Sequence, residues 1–235
     1  MSIFWESALE AGYYDKVLEE GLKKNKGIQA NWHNITQLYV TKYIKNDSNH
    51  LDYACGPGTL IGKYTQANSL GVDIAKLQID YAIQKYGEDG TFLTTRQFDF
   101  GMYNNYFDVV TILGLIEFLS VSEIKGLLTK ISTILKPGGK LILTTPNFSS
   151  LIFPLSDKLG LVNWSGEHKT KLDPKSAVNI FNLRDFKIIQ INKILNFGML
   201  FSFINIKFGI LLEKIIQKLT RGSFGFVLII ELEKT

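Results

Sequence analysis

From His50 to Thr145, short apolar segments alternate with stretches of helical periodicity, and no other feature limits the chain's fold as much. The predicted order is strand 50–54, helix 59–67, strand 69–73, helix 75–86, strand 91–96, strand 107–113, helix 122–135 and strand 139–145. Strands joined through helices lie parallel, with the helices covering both faces of the sheet. Lys136-Pro137-Gly138-Gly139 is the clearest punctuation: a helix must stop before the proline, and the glycine pair lets the chain turn into Lys140-Leu141-Ile142-Leu143.

Two helices precede this core, 13–25 and 30–45, separated by Gly27; the second places Trp32, Ile35, Leu38, Tyr39 and Tyr43 largely on one side. Residues 1–46 are expected to form an N-terminal helical cap on a domain spanning 47–235. Within that domain, 48–147 is the core and 147–184 an irregular insert containing a short helix at 174–181. Residues 185–235 read as strand 185–195, a long apolar helix 199–219 and a last strand 224–233. A chain of 235 residues with 46% apolar content can bury one sizeable core.

Charge and cysteine content narrow the function classes. The net charge of +4 is small and scattered, which argues against a nucleic-acid surface. A single cysteine, Cys55, excludes an internal disulfide framework and fits a reducing compartment. Residues 1–12 carry Glu6 and Glu10 and lack a basic segment followed by an apolar one, so a cytoplasmic location is expected. The apolar stretch 194–212 is interrupted by Asn196, Asn205 and Lys207, which argues against a membrane span.

The run Leu51-Asp52-Tyr53-Ala54-Cys55-Gly56-Pro57-Gly58-Thr59 sets an acidic side chain before two glycines where a strand gives way to a helix. Glycine removes the Cβ that would hold a ligand off, and the N–H groups opening the next helix can face its polar groups. Cys55 is expected to be a small turn residue, not a nucleophile. In an open α/β sheet the ligand sits beyond the carboxyl ends of the strands. Those ends carry Asp52 to Gly58, then Asp73, then Asp99 and Phe100, then Leu113 to Leu115. A carboxylate at Asp73 can accept hydrogen bonds from both hydroxyls of a ribose.

Leu51-Asp52-x-Ala54-x-Gly56-x-Gly58, Gly71-Val72-Asp73-Ile74, Phe98-Asp99-Phe100, Tyr106-Phe107-Asp108-Val109-Val110 and Leu135-Lys136-Pro137-Gly138-Gly139 occur in one order over residues 48–147. Together they resemble the class I S-adenosylmethionine-dependent methyltransferases. The resemblance implies a Rossmann-like three-layer sandwich with a seven-stranded, mostly parallel sheet whose last strand is antiparallel. It also implies S-adenosyl-L-methionine as cofactor. Its methionine part would lie on Asp52, Ala54, Cys55, Gly56, Pro57 and Gly58, its ribose on Asp73 and its adenine against Ile74. Asp99, with Phe100 beside it, would meet the adenine amino group, and the backbone near Leu113 would border the sulfonium end. The family often has glycine where Ala54 stands, and the Glu-His pair common after the fourth strand is Glu117-Phe118 here, which weakens the case for a metal or a base at that place.

Among residues outside these motifs, His168 in the insert and His33 on the cap helix are candidate general bases, and Tyr14 is a candidate contact for the sulfonium end. His50 reads as a surface residue and Asp108 as a turn or capping residue. The aromatics Trp5, Tyr13, Tyr14, Trp32, Phe148, Phe153 and Trp164 favour a small-molecule or lipid-like acceptor over a polymer, with O-methylation favoured. Residues 197–221 carry Phe201, Phe203, Phe208 and Leu211 beside Lys207, Lys214, Lys218 and Arg221. They read either as an amphipathic helix in peripheral contact with a membrane or as a core helix covering the sheet. Two other functions stay open: an NAD-dependent oxidoreductase, since Gly56, Gly58 and Gly62 approximate a dinucleotide fingerprint, and a cofactor-binding homologue without catalysis.

Overall fold

The computed structural model describes residues 9–151 and 168–235. Its elements in chain order are α1 (Tyr13–Lys24), α2 (Ile28–Val40), β1 (Asn49–Tyr53), α3 (Thr59–Tyr64), β2 (Asn68–Asp73), α4 (Lys76–Tyr86) and β3 (Thr91–Thr94). There follow β4 (Phe107–Leu113), α5 (Val121–Ile134), β5 (Leu135–Pro146), α6 (Pro174–Phe181), β6 (Phe186–Ile194), α7 (Ile206–Thr220) and β7 (Val227–Lys234). The seven strands form one sheet in the order β3-β2-β1-β4-β5-β7-β6. Neighbours β1 to β5 run parallel, and β7 is antiparallel to both β5 and β6. This is the Rossmann-like sandwich with an antiparallel last strand that the motifs imply. Strand order reverses between β1 and β4, so the crevice lies at their carboxyl ends.

Alternation along the strands divides the core between the two faces. Val110, Ile112, Leu141, Leu143, Leu228 and Ile230 pack with Ile124, Leu128 and Ile131 of α5. Val109, Ile142, Val227 and Ile229 meet Ile35 and Val40 of α2 on the other side. Helix α5 starts at a reciprocal cap, with Ser120 Oγ accepting from the Glu123 N–H and Glu123 accepting from the Ser120 N–H.

Two boundaries differ from the sequence reading. The strand expected after the glycine pair begins before it: Leu135 already pairs with Phe107, and the ladder then shifts to Val109–Lys140, so Lys136–Gly139 is an irregularity inside β5. The long helix expected over 199–219 is interrupted. Residues Phe197–Phe203 form a 3₁₀ turn, and α7 restarts at Ile206 with Asn205 accepting from the Phe208 N–H at 3.0 Å. The cause is the buried carboxylate of Glu213. It accepts from the backbone N–H of Asn196 at 2.7 Å and of Met199 at 3.2 Å, pinning the 3₁₀ segment across the helix.

The first helix is tied to the domain chiefly through one buried side chain, with Glu19 pairing at the surface to Lys63 at 2.6 Å and Lys85 at 2.8 Å. Asp15 is fully buried and accepts from Thr59 Oγ1 at 3.0 Å, Tyr81 Oη at 2.9 Å, Tyr86 Oη at 2.9 Å and Lys85 Nζ at 2.5 Å. Four donors from two elements converge on one carboxylate, and hydrogen bonds to charged groups are the stronger kind. The Gly12 N–H adds a bond to Gln78 Oε1 at 2.9 Å.

Candidate active site

The turn after β1 is built for close approach of backbone. Ala54, Gly56 and Gly58 all have positive φ, at 70°, 52° and 77°. A Cβ on Gly58 would lie 2.6 Å from the Phe92 ring, so that position requires glycine. Ala54 takes the left-handed conformation despite its methyl group, at a cost of about 1 kcal/mol or more. Cys55 packs with Ile61, Ile79, Ala82, Tyr86 and Phe92, and burial pushes its thiol well above the ordinary range. It is a packing residue, as expected.

Two carboxylates frame this turn. Asp73 Oδ2 accepts from the Gly56 N–H and its Oδ1 from the Ala75 N–H, both at 2.8 Å. Burial raises its pKa, and the N–H groups of Ala75, Gly56 and Ile74 oppose that rise. Asp52 is 2% exposed. Burial lifts its pKa to about 7 against the pull of the Thr111 hydroxyl, and the charge of Asp73 adds to the rise. A cation placed between the two acids would relieve both. The set suits an ammonium group at Asp52 and a diol at Asp73, and it fits S-adenosylmethionine in chemistry.

Asp52 is also positioned from behind. Thr111 Oγ1 donates to its Oδ1 at 2.7 Å, His50 Nε2 lies 2.9 Å from the same threonine oxygen, and His50 Nδ1 lies 3.0 Å from Ser69 Oγ. With Thr111 donating forward, the imidazole supplies it with the Nε2–H and accepts from Ser69 at Nδ1. The surface reading of His50 is thereby corrected: its side chain is fully buried, and burial depresses its pKa to about 3. Asp108 is structural, accepting from the Asn49 N–H at 2.8 Å and pairing with Lys136 at 2.7 Å.

On the side of the crevice facing β3, Ile74 is 43% exposed for an aliphatic side chain at a strand end. Phe100 is half-buried against Tyr53 and Phe98. Asp99 opens the 3₁₀ turn Phe100–Tyr103, its Oδ1 accepting from the Gly101 N–H at 2.9 Å with the side chain otherwise exposed. An exposed aliphatic side chain, a half-buried ring and a carboxylate at successive strand ends have the chemistry to take a flat heterocycle carrying an amino group.

The opposite side contains Glu117, which the sequence reading discounted as a base because Phe118 stands where a histidine is common. Beyond Leu113, Gly114 turns with φ 67°, and a Cβ there would sit 3.8 Å from Glu117 Oε1. Glu117 is 5% exposed, and its Oε2 has no hydrogen-bond partner among the described residues. Burial pushes its pKa to about 7, with nearby backbone and the Thr145 hydroxyl opposing the rise. Its charge reaches the Tyr14 phenol, whose pKa rises through burial, then Tyr13, then Glu117. Tyr14 touches the ring of His33 at 5.1 Å, His33 stacks on Trp32 at 6.0 Å, and Trp32 meets Phe226 edge-on at 5.1 Å. His168 lies 5.1 Å from Phe118 and 5.4 Å from Phe148, and the Thr170 N–H bonds the Glu117 carbonyl at 3.1 Å.

Tyr14 thus packs on His33 and lies within reach of the Glu117 charge, and His168 meets Phe118, the neighbour of Glu117. Desolvation depresses the His33 pKa to about 4, so its ring is neutral near pH 7 and takes up a proton poorly. The signal that could have singled out Glu117 was its place one turn after β4, at the strand end opposite Asp52. Trp5, Phe153 and Trp164 lie outside the described residues.

A family model described as a methyltransferase domain matches residues 51–143. No curated protein sequence matches the chain. Among solved structures, magnesium protoporphyrin IX methyltransferase from Synechocystis PCC 6803, with bound SAH, is similar over 100% of this chain and 98% of its own at 16% identity and a TM-score of 0.65. A SAM-dependent methyltransferase from Archaeoglobus fulgidus is similar over 86% of this chain and 94% of its own, at 20% identity and a TM-score of 0.61. The [4+2]-cyclase SpnF shares the fold over 88% of this chain and 81% of its own, at 15% identity and a TM-score of 0.60. The ordered motifs, the sheet order and the matched domain agree: residues 51–143 carry a methyltransferase domain, within a fold shared with solved S-adenosylmethionine-dependent methyltransferases.

Proposed function

We propose that this methyltransferase acts on a hydroxyl of a small or lipid-like molecule in a cytoplasmic setting, with Glu117 as proton acceptor. The observation that carries the proposal is a buried carboxyl with an unpartnered Oε2 at the wall of the crevice, poised near neutral pKa. General bases work best when their pKa lies near the working pH.

In this reading Asp52 and the turn Ala54 to Gly58 hold the methionine end of the cofactor, Asp73 the ribose, Ile74 and Phe100 the adenine, and Asp99 its amino group. Bound S-adenosylmethionine supplies an electrophilic methyl group. Leu113 and Gly114 would lie toward its methyl-donating end, and Tyr14, His33 and His168 would shape the acceptor side. The methyl would be supplied to the acceptor oxygen, and Glu117 would take the hydroxyl proton at its unpartnered Oε2. Alignment at about 3 to 3.5 Å and exclusion of water do much of the remaining work.

Titration calorimetry with S-adenosylhomocysteine, followed by a panel of phenols, other alcohols, amines and thiols, tests this. Binding together with transfer to hydroxyls is the expected result. Absence of binding at millimolar ligand in folded protein would overturn the cofactor assignment. Transfer confined to amines or thiols would overturn the acceptor class, and competition by NAD would favour the dehydrogenase reading. Binding with no transfer to any of the panel would favour a non-catalytic role.

A further inference from the structure

Helix α7 turns an apolar face to solvent. Its exposed residues are Lys207, Phe208, Leu211, Lys214, Ile215, Lys218 and Leu219, with Arg221 just beyond. None is acidic and none is neutral and polar, whereas an ordinary surface helix carries its polar residues outward. Leu219 is 77% and Leu211 54% exposed, and Phe203 at 63% and Ile204 at 50% extend the patch into the preceding turn. Phe208, Leu211, Ile215 and Leu219 follow at helical steps and make one stripe. The inward face holds Ile206, Gly209 and the buried Glu213.

The cations form a second stripe. Lys207, Lys214 and Lys218 recur along the same helix, and none of them, nor Arg221, has an acidic partner among the described residues. Lys26 sits in the α1–α2 turn, which bonds this segment through the Gly27 N–H to the Ser202 carbonyl at 2.8 Å.

We propose that this face docks on an anionic lipid bilayer, the apolar stripe entering the headgroup–acyl boundary and the lysines meeting lipid phosphates. A second copy is a poor occupant, because a two-fold contact would set these cations against themselves. The helix has 15 residues, and no helix among the described residues is long and apolar enough to cross a membrane, so α7 lies in the interfacial plane. Strand β6 is antiparallel to β7, as β5 is, so the 197–203 turn leaves the carboxyl end of the sheet, the end that carries Asp52 and Asp73. Docking therefore brings the crevice close to the lipid surface. An acceptor dissolved in the bilayer follows only if the proposed acceptor chemistry holds; the docking does not depend on it.

Co-sedimentation of the full chain with vesicles of phosphatidylcholine, alone or equimolar with phosphatidylglycerol, tests the proposal. Binding to the mixed vesicles, weakened by salt, is expected. The triple variant Phe208→Ser, Leu211→Ser, Leu219→Ser should abolish it. Lys214→Gln with Lys218→Gln should weaken it about 25-fold, at about fivefold per cation. Both variants change exposed positions, and an unchanged thermal midpoint and S-adenosylhomocysteine affinity will show that they fold. Wild-type protein left in solution with mixed vesicles overturns the proposal, as does a triple variant that sediments normally. Dimerisation that the triple variant abolishes, without vesicle binding, assigns the face to a second copy instead. Loss of cofactor binding in the wild type would refute the methyltransferase reading and leave the sedimentation result standing.

Discussion

Replacing Glu117 by Gln keeps the side chain's shape and removes its charge, so stability and activity should move in opposite directions. The fold lifts the Glu117 pKa from 4.5 to about 7 through burial. At about 1.4 kcal/mol per pH unit, the charged form costs the native state about 3 kcal/mol. Because the folded pKa is raised, the stability this group provides is complete below pH 4.5, declines as pH rises through the folded pKa, and is gone above it. The Gln variant has no such term. Its stability relative to wild type should therefore grow by about 3 kcal/mol between pH 4.5 and 8, or about 6–12 °C in melting temperature for a chain of this size. At pH 8 methyl transfer to a hydroxyl acceptor should fall by about 10² or more with S-adenosylhomocysteine binding intact. Paired melting curves across that pH range, with activity at the upper end, are the assay. Parallel melting curves would mean that Glu117 does not titrate there, and unchanged activity would remove it as the base.

Cofactor affinity should also depend on pH through Asp52. With a pKa of about 7, it is increasingly protonated as the medium acidifies. An ammonium ligand needs its charge, so the affinity for S-adenosylhomocysteine should drop about 25-fold from pH 7.5 to 5.5. Calorimetry on wild type and Asp52→Asn checks this, the variant being weak and flat with pH; a flat wild type would refute the assignment. Thr111→Val should steepen the loss by taking away the hydrogen bond that favours the Asp52 carboxylate, and an unaltered pH profile would count against the His50–Thr111 support. Asp15→Asn should cost about 3 kcal/mol or more in urea unfolding, the usual price of breaking a buried pair, and an unmoved midpoint would show that the cap is held elsewhere. Leu128→Ala, at a fully buried contact between α5 and the sheet, should cost about 2–5 kcal/mol by the same measurement.

What could be read from the sequence was what neighbouring residues decide. The strands from Leu51 to Leu143 are apolar runs bounded by turn residues, and the Asp52–Gly58 turn follows from local chemistry alone. His50 was misread because its partners Ser69 and Thr111 lie 19 and 61 residues away and are brought to it only by the register of three parallel strands. Glu117 was seen in the sequence only as half of a Glu-Phe pair and discounted as a base for a similar reason. The chain returns to it at Thr170, whose N–H bonds the Glu117 carbonyl, and the Tyr14 phenol feels its charge; neither residue is near in sequence. The break before α7 was partly visible, since Asn205 is a good capping residue. Its cause, the reach of Glu213 back to Asn196, is tertiary.

The anchoring of α1 separates two roles on adjacent residues. Asp15 is spent on the core, whereas its neighbour Tyr14 packs on His33 and feels the charge of Glu117. Under the proposed function, substitutions at Tyr13 and Tyr14 are expected to alter acceptor choice while four donors on Asp15 keep the helix in register over Thr59. The acceptor side could then change without any rebuilding of the turn from Asp52 to Gly58.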